Sequence, residues 1–344
     1  MIVSTLLALS AAMAAPLDAK ANELWVEYPG GKGPGAGKKI VLMSGDEEYR
    51  SEEALPMLGK ILSQHHGFHC VVLFSIDPET GEIDPNDQVN VMGMHHLDDA
   101  DLVIMAFRFR EPTDEAMKHF VDYVDSGRPI IGLRTSTHAF NYSRHKDSPY
   151  AHYDFRHGEW KGGFGRQVLG DTWINHHGHH GKEGTAGIVE PANASHPILK
   201  GVKGVFGDTD VYGVRNLVPE ATILLHGQVV AGMKPGASPV EGKKNDPMMP
   251  LAWTKPFTSK SGKPSRIFNT TMGAATDFIE AGSRRLIVNA AYWCVGLEDE
   301  ISPTSNVDTV GKYEPTRFGF GKAKKGVKPA DHALQSAAGG DSGR

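Results

Sequence analysis

Short apolar runs alternate with amphipathic stretches over the first part of the chain. Within residues 51–66, Leu55, Leu58 and Leu62 recur at helical spacing, and Gly67 ends the pattern. Apolar runs between polar segments are typical of buried strands, and strands that alternate with helices predict an α/β fold. We therefore expect a doubly wound, mostly parallel sheet with helices on both faces. The predicted strands are 39–44, 68–75, 101–107 and 129–133, and the predicted helices are 51–66 and 113–126.

The rest of the chain divides into segments of different character. Residues 1–21 combine a short apolar stretch with small residues, which predicts a secretory signal peptide and hence a periplasmic or secreted protein. Residues 22–38 are rich in Gly and Pro and predict a linker before the folded domain, 39–298. Residues 299–344 lose hydrophobic content and predict an extended arm followed by a disordered tail. In the second half, strands are predicted at 186–189, 211–214, 221–230, 249–254 and 266–271, and a helix at 283–297.

The composition argues against several classes of function. With 344 residues, 40% of them hydrophobic, the chain can bury a core of full size. Its formal net charge of -5 gives no general attraction to nucleic acid, and no segment after the signal peptide is apolar enough to span a membrane. Cys70 and Cys294 lie in apolar runs and are predicted to be buried thiols. Gly30, Gly31 and Gly33 follow no strand, so no nucleotide cofactor is predicted. We expect a globular protein with a small-molecule partner, and a homo-oligomer is an open alternative to a monomer.

Charged residues follow three of the predicted strands, and the carboxyl ends of parallel strands share one edge of a sheet. In the turn after the fourth strand, Arg134 can bind oxygen atoms, and His138 can accept a proton or bind a ligand. Glu47, in the loop after the first strand, can move a proton. We therefore predict His138, Glu47 and Arg134 as catalytic residues. The predicted substrate-binding residues are Asp46, Arg50, Arg108, Arg110, Ser136, Thr137, Trp160, Trp173, Asp210 and Tyr212.

Several of these residues also have a purely structural interpretation. The acidic residues at 46–48 suit a helix N-terminus, and Ser136 or Thr137 suits a helix cap. Arg108 and Arg110 can form surface ion pairs with nearby acids. These alternatives remain open at the level of the sequence.

The segment that follows the turn after the fourth predicted strand, residues 139 to about 182, is long, weak in periodicity and rich in histidine. We call it the histidine-rich segment. We expect a His-rich insertion there, because loops of this length in a compact domain are usually functional. Four histidines lie within residues 175–180, so His176 and His179 are predicted ligands of a divalent metal such as zinc. Gly178 argues against a helix that would align His176 with His180. A polar lid without a metal is the alternative.

Apolar strands and glycine-led turns form a series of motifs along the chain. The motifs are 40–46, 101–104, 127–133, 195–198, 208–212, 250–253, 266–273 and 292–296. In these motifs and in their order the chain resembles the trehalose-utilisation, or ThuA-like, family. The fold of that family is similar to flavodoxin and to the class I glutamine amidotransferase domain. The resemblance covers residues 39–298.

The resemblance implies a role in carbohydrate catabolism, with disaccharides or their keto-sugar derivatives as substrates. Glutamine amidotransferases carry a nucleophilic cysteine in the turn where this chain has Arg134, so glutaminase chemistry is excluded and acid/base chemistry is expected. In this hypothesis Arg134 and Arg108 bind sugar oxygens. His138 or Glu47 then moves a proton next to a carbonyl. A non-catalytic sugar-binding protein and a scaffold with a degenerate amidotransferase fold are the alternatives.

Overall fold

The computed structural model describes residues 24–335 of the chain. The predicted signal peptide, residues 1–21, lies outside the described residues, as does the end of the predicted tail, residues 336–344. Within the described part, no helix combines the length and the apolar character needed to cross a lipid bilayer.

Ten strands form one sheet in the order β1-β3-β2-β4-β5-β10-β9-β8-β6-β7. The strands are β1 (Trp25–Tyr28), β2 (Lys39–Gly45), β3 (His69–Phe74), β4 (Leu102–Phe107), β5 (Ile130–Leu133), β6 (Gly184–Val189), β7 (Phe206–Gly207), β8 (Thr222–Val230), β9 (Met249–Thr258) and β10 (Pro264–Thr270). The α-helices are α1 (Ser51–His66), α2 (Asp114–Asp125) and α3 (Ala281–Cys294).

The central strands carry apolar side chains on both faces, and each face packs against helices. Leu42 of β2 belongs to a core that includes Leu58 of α1 and Ile287 of α3. The next residue, Met43, belongs to a second core that includes Phe120 of α2. Because neighbouring strand residues point to opposite faces, the near-continuous apolar runs of the sequence supply both cores at once. Cys70 and Cys294 lie in the first core as free thiols, as predicted.

The predicted α/β class is confirmed, and the sheet is mixed. The strands β3, β2, β4, β5 and β10 pair in parallel. The strands β9, β8, β6 and β7 extend the sheet by antiparallel pairing, as β1 does at the opposite edge. The prediction of a mostly parallel sheet therefore applies to the five central strands.

Two sequence predictions differ from the structure near these edges. The predicted linker, 22–38, contains β1, which pairs with β3. Its glycines pack closely, because a Cβ atom on Gly30 would lie 2.6 Å from the carbonyl oxygen of Gly67. The predicted strand 211–214 is an irregular segment with a single bridge to the histidine-rich segment, whereas the two-residue strand β7 was not predicted.

The segment after α3 packs along the domain as an extended arm, which we define as residues 299–335. Ile301, Val307 and Phe318 of the arm are buried. The backbone N–H of Gly319 donates to the carbonyl oxygen of Glu48, 2.7 Å away, so the arm reaches the loop after β2. Residues 299–335 contain no strand, and a short 3-10 helix lies at Pro329–His332.

His66, the last residue of α1, joins the arm to α3, and it predicts a pH dependence of stability. Its ring nitrogens lie 2.9 Å from the hydroxyl of Tyr292 and 2.8 Å from the carbonyl oxygen of Asn306. Burial lowers the pKa of His66 from 6.5 to about 4. The unfolded chain therefore takes up a proton between these pH values that the folded chain does not, so stability is lost as the pH falls.

Replacing His66 by glutamine is expected to make the free energy of unfolding less dependent on pH between 6.5 and about 4. The slope should fall by up to about 1.4 kcal/mol per pH unit, the value for one proton. Urea unfolding at several pH values measures this slope. His65→Gln, on the same helix and more exposed, is the control, and an equal effect in both variants would contradict the assignment to His66.

Candidate functional site

The loops after β2, β4 and β5 meet at one edge of the sheet, as parallel pairing predicts. Glu47 from the first loop pairs with Arg108 and, at 2.5 Å, with Arg110 of the second. The backbone N–H of Phe109 donates to the carbonyl oxygen of His138 in the third loop, 3.1 Å away. The three loops therefore form one cluster of charged and aromatic side chains at the carboxyl ends of the parallel strands.

Arg110 holds this cluster together from inside the protein. Its guanidinium is fully buried and donates to Glu47, to the hydroxyl of Ser75 and to backbone carbonyl oxygens. All of these acceptors belong to the protein. Arg110 therefore shapes the loops, and it does not face a substrate.

Asp46 and Arg50 also have structural contacts. The carboxylate of Asp46 accepts hydrogen bonds from the backbone N–H groups of Glu48 and Tyr49 and from the hydroxyl of Thr135. These bonds tie the turn after β2 to the turn after β5. The helix α1 begins later, at Ser51 with Arg50 as its N-cap, so Asp46 stabilises the preceding turn and does not cap the helix.

Arg50 has a left-handed backbone conformation, with φ of 60°, and a buried side chain. Its guanidinium donates to the carbonyl oxygens of Glu47 and of Gly319. The residue therefore links the loop after β2 to the arm.

Ser136 and Thr137 lie in the turn after β5 and face inward. The hydroxyl of Ser136 donates to the carbonyl oxygen of Met105 in β4, at 2.8 Å. The carbonyl oxygen of Thr137 accepts a hydrogen bond from the hydroxyl of Thr172. Both residues are buried, and these bonds hold the turn against β4 and against the histidine-rich segment.

The side chain of Arg134 is buried beside the cluster. Its φ of 42° is unusual for a residue with a side chain, and only 1% of the residue is exposed. The guanidinium carbon lies 4.4 Å and 4.0 Å from the ring centres of Tyr49 and Tyr212. The guanidinium also donates to the backbone carbonyl oxygen of Asp210, at 2.8 Å, and to its carboxylate, at 3.2 Å. The Arg134 side chain therefore holds Asp210 in place from inside the protein, and its Nε atom is buried without a hydrogen-bond partner among the described residues.

Asp210 is a fully buried carboxylate that brings two histidines together. One of its oxygens lies 2.7 Å from Nδ1 of His176, and the other lies 3.0 Å from Nδ1 of His180. Burial opposes ionisation, but hydrogen bonds from the two histidines and the charge of Arg134 outweigh it and hold the pKa of Asp210 well below its usual range. The carboxylate is therefore ionised at neutral pH.

The close approach of the histidine-rich segment to Asp210 depends on Gly178. The backbone N–H groups of His177 and Gly178 both donate to the carbonyl oxygen of Val211. A Cβ atom on Gly178 would lie 3.1 Å from Cβ of Asp210, which is tighter than ordinary contact. The turn at this glycine places His176 and His180 on the same side without a helix.

Glu48 lies on the other side of His180. One carboxylate oxygen of Glu48 is 3.4 Å from Nε2 of His180, and the other is 3.5 Å from Nε of Arg108. Burial raises the pKa of Glu48. The hydrogen bond that His180 donates to the carboxylate of Asp210 raises the pKa of His180. Phe318 of the arm packs against the His180 ring, with ring centres 5.2 Å apart.

His138 is surrounded by aromatic rings. The centres of the Phe109 and Trp173 rings each lie 5.0 Å from that of His138, and the Phe155 ring is 6.2 Å away. Its Nδ1 atom is buried and has no hydrogen-bond partner among the described residues. Burial and the nearby charges of Arg108 and Arg134 lower the pKa of His138 well below its usual value, so the imidazole is neutral at neutral pH.

Two predicted site residues lie outside this cluster. Trp160 packs against Tyr153 and His152 and borders the second core. The side chain of His179 is 70% exposed and pairs with Glu183, so the predicted metal ligand pair of His176 and His179 is not the pair that the structure brings together. The two histidines that lie together beside Asp210 are His176 and His180.

Several residues of the cluster are absent from the sequence-based set, among them Glu48, His180, Phe109 and Phe318. Glu48 and His180 each adjoin a predicted residue, but the charge pattern alone does not show which of two neighbours faces the site. Phe318 comes from a segment that the sequence marks only by its low hydrophobic content. Its position depends on the path of the arm over the domain, which no local pattern encodes.

Comparison with known proteins places the chain in a family. The family profile described as ThuA, trehalose utilisation, matches residues 39–294. No curated protein matches the chain. Among solved structures, a ThuA-like protein from Parabacteroides merdae ATCC 43184 is 15% identical, with a TM-score of 0.46 over 75% of this chain and 90% of that one. A ThuA-like protein from Bacteroides uniformis ATCC 8492 is also 15% identical, with a TM-score of 0.47 over 80% of this chain and 98% of that one. Since the profile matches well over half of its residues, the chain belongs to the ThuA, or trehalose utilisation, family.

Proposed function

We propose that this protein is an enzyme of carbohydrate catabolism that acts on a disaccharide or its keto-sugar derivative by acid/base chemistry, without a cysteine nucleophile. The observation that carries the proposal is the state of His138. It is a neutral imidazole with an unpaired, buried ring nitrogen at the carboxyl end of β5, next to charged side chains. A neutral imidazole can donate a hydrogen bond to a carbonyl oxygen and stabilise the negative charge that develops there.

Glu48 is the carboxylate best suited to accept a proton in this site. Glu47 pairs with both Arg108 and Arg110, and these contacts engage both of its oxygens. Glu48 has one long contact to Arg108 and a pKa that burial raises towards neutrality. A carboxylate with a raised pKa is a stronger base than an ordinary one. We therefore assign to Glu48 the proton transfer that the sequence suggests for Glu47.

The sugar would lie between an apolar wall and a cation. Trp173 and Phe109 offer ring faces on which the apolar face of a pyranose can pack. The Arg108 guanidinium carbon lies 4.5 Å from the Phe109 ring centre and 5.0 Å from that of Phe320. This stacking fixes a guanidinium whose remaining N–H groups can bind sugar oxygens.

A cleft next to this wall offers a path for the substrate. Its empty volume is about 1090 Å³, including open solvent, and its lining includes Phe155, Thr172 and Arg156. Phe155 also contacts His138, so movement of this one ring would join the cleft to the imidazole. The proposal requires such a movement, because only 2% of His138 is exposed.

The proposed step is proton removal next to a carbonyl group of the sugar. Glu48 takes the proton from the carbon beside the carbonyl, and the electron pair of the broken C–H bond moves to form an enolate. The enolate oxygen accepts a hydrogen bond from a ring N–H of His138. Arg134 contributes indirectly, since it holds Asp210 ionised and in place beside the site.

Incubation of the mature protein with native and 3-keto disaccharides tests the proposal. We expect turnover of at least one keto-sugar, detected as exchange of the proton beside its carbonyl with deuterated water or as cleavage of the disaccharide. Binding without either reaction would favour the sugar-binding protein. Neither binding nor reaction would favour the scaffold with a degenerate amidotransferase fold.

We also propose that the protein is exported to the periplasm or secreted. The apolar stretch and small residues within 1–21 support this proposal. Fractionation of cells that express the full chain, with determination of the N-terminus of the mature protein, tests it. A protein that keeps its first residues and stays in the cytoplasm would contradict the proposal.

A further inference from the structure

His176, His180 and Asp210 form a group whose candidate metal-binding atoms lie close together. One candidate ligand atom from each residue lies within 4.8 Å of the others. Zinc binds nitrogen and carboxylate oxygen at about 2.0–2.2 Å, so ligand atoms of one ion lie roughly 3–4 Å apart. The separations in the group need only small side-chain shifts to reach that range.

The surroundings of the group resemble those of metal ligands in proteins. The two ring nitrogens of His180 face two different carboxylates, with Nδ1 near Asp210 and Nε2 near Glu48. A histidine that binds a metal usually donates its other ring N–H to a carboxylate, which fixes the ring. Arg134 donates to both the carboxylate and the backbone carbonyl of Asp210, which fixes the third side chain.

The other histidines of the segment are held elsewhere. Nε2 of His177 lies 2.9 Å from the carbonyl oxygen of Lys244. His179 is largely exposed and pairs with Glu183. The chain therefore separates its four neighbouring histidines into two that share Asp210 and two that do not.

We propose that His176, His180 and Asp210 bind one divalent transition-metal ion, with zinc as the best match to two imidazoles and a carboxylate. Three protein ligands leave a fourth position for water or for a substrate oxygen. When bound, such an ion polarises a carbonyl oxygen or lowers the pKa of a bound water. Metal binding is measured without substrate, so the result does not depend on whether the protein catalyses the proposed reaction.

Zinc binding to the metal-free protein tests the proposal. Protein without a histidine tag is treated with a chelator, dialysed and titrated with zinc chloride by calorimetry, and bound metal is then measured by mass spectrometry. We expect one ion per chain and a rise in the thermal unfolding temperature on binding. His176→Ala and His180→Ala should each weaken binding by about 10- to 100-fold or more, as loss of metal-site residues does.

His179→Ala is the matched control, since it removes a neighbouring histidine that does not face Asp210. It should bind zinc as the unaltered protein does. Absence of binding in the unaltered protein would overturn the proposal, and so would equal losses in His179→Ala and His180→Ala. Far-ultraviolet circular dichroism of each variant shows whether it is folded. If one of the two ligand variants does not fold, the other still decides the outcome.

Discussion

Replacing Arg134 by methionine is expected to lower the free energy of unfolding by about 3–5 kcal/mol, the usual cost of removing one partner of a buried ion pair. The substitution keeps most of the side-chain volume but removes the cation from between Tyr49 and Tyr212. It leaves the buried carboxylate of Asp210 without its arginine partner and two backbone carbonyls without their donor. Equilibrium unfolding in urea measures the loss.

Two further variants show whether the loss comes from the unpaired charge. In Arg134→Met combined with Asp210→Asn, the uncompensated charge is absent, so the double variant should lose less than the two single losses added together. Arg144→Met removes an arginine that is about half exposed and also pairs with a buried acid, Glu111. This control should change stability by no more than about 1 kcal/mol. A similarly small effect of Arg134→Met would contradict the structural role of Arg134.

Replacing His138 by alanine is expected to lower kcat by about 100- to 1,000-fold on any sugar that the protein turns over, the usual contribution of one hydrogen-bond donor to a developing oxyanion. The loss should appear mainly in kcat, because the hydrogen bond to the enolate oxygen strengthens as the charge develops. Steady-state kinetics on the active keto-sugar measure it. His119→Ala, on α2 and paired with Asp98 far from the cluster, should leave both kcat and KM unchanged.

The pH profile of kcat provides a separate test of the two roles. Burial raises the pKa of Glu48 above its ordinary value of 4.5. Because the base must be deprotonated, kcat should rise with pH through that raised pKa. Burial lowers the pKa of His138 well below 6.5, so His138 stays neutral over the pH range in which kcat rises. One result would contradict the neutral state of His138. It is a change of kcat around pH 6.5, as an ordinary histidine gives, that is absent from His138→Ala.

The sequence predicts the central fold well, and it predicts that the loops carrying the candidate site lie together, for a clear physical reason. Strands β2, β3, β4 and β5 appear as short apolar runs because both of their faces are buried. Parallel pairing then brings the loops that follow β2, β4 and β5 together without any knowledge of side-chain contacts. Strand β1 is hidden, because the glycines after it look like a linker although they pack closely against the end of α1.

The roles of individual residues are much harder to predict from the sequence. Arg110 and Arg134 look like residues that bind a ligand, and yet both side chains are buried and donate to carbonyl oxygens of distant residues. The direction of an arginine side chain depends on acceptors that lie far away in the sequence. The choice between His179 and His180 likewise depends on the turn at Gly178, which no periodic pattern encodes.

The arm has a consequence for the order in which the protein can be made. Phe318 covers His180, and the carbonyl oxygen of Gly319 accepts a hydrogen bond from Arg50, whose neighbours Glu47 and Glu48 belong to the cluster. A ribosome adds residue 319 long after the ten strands have been synthesised. The nascent chain can therefore build its sheet first, and the candidate site is completed only after residues 318 and 319 have been added.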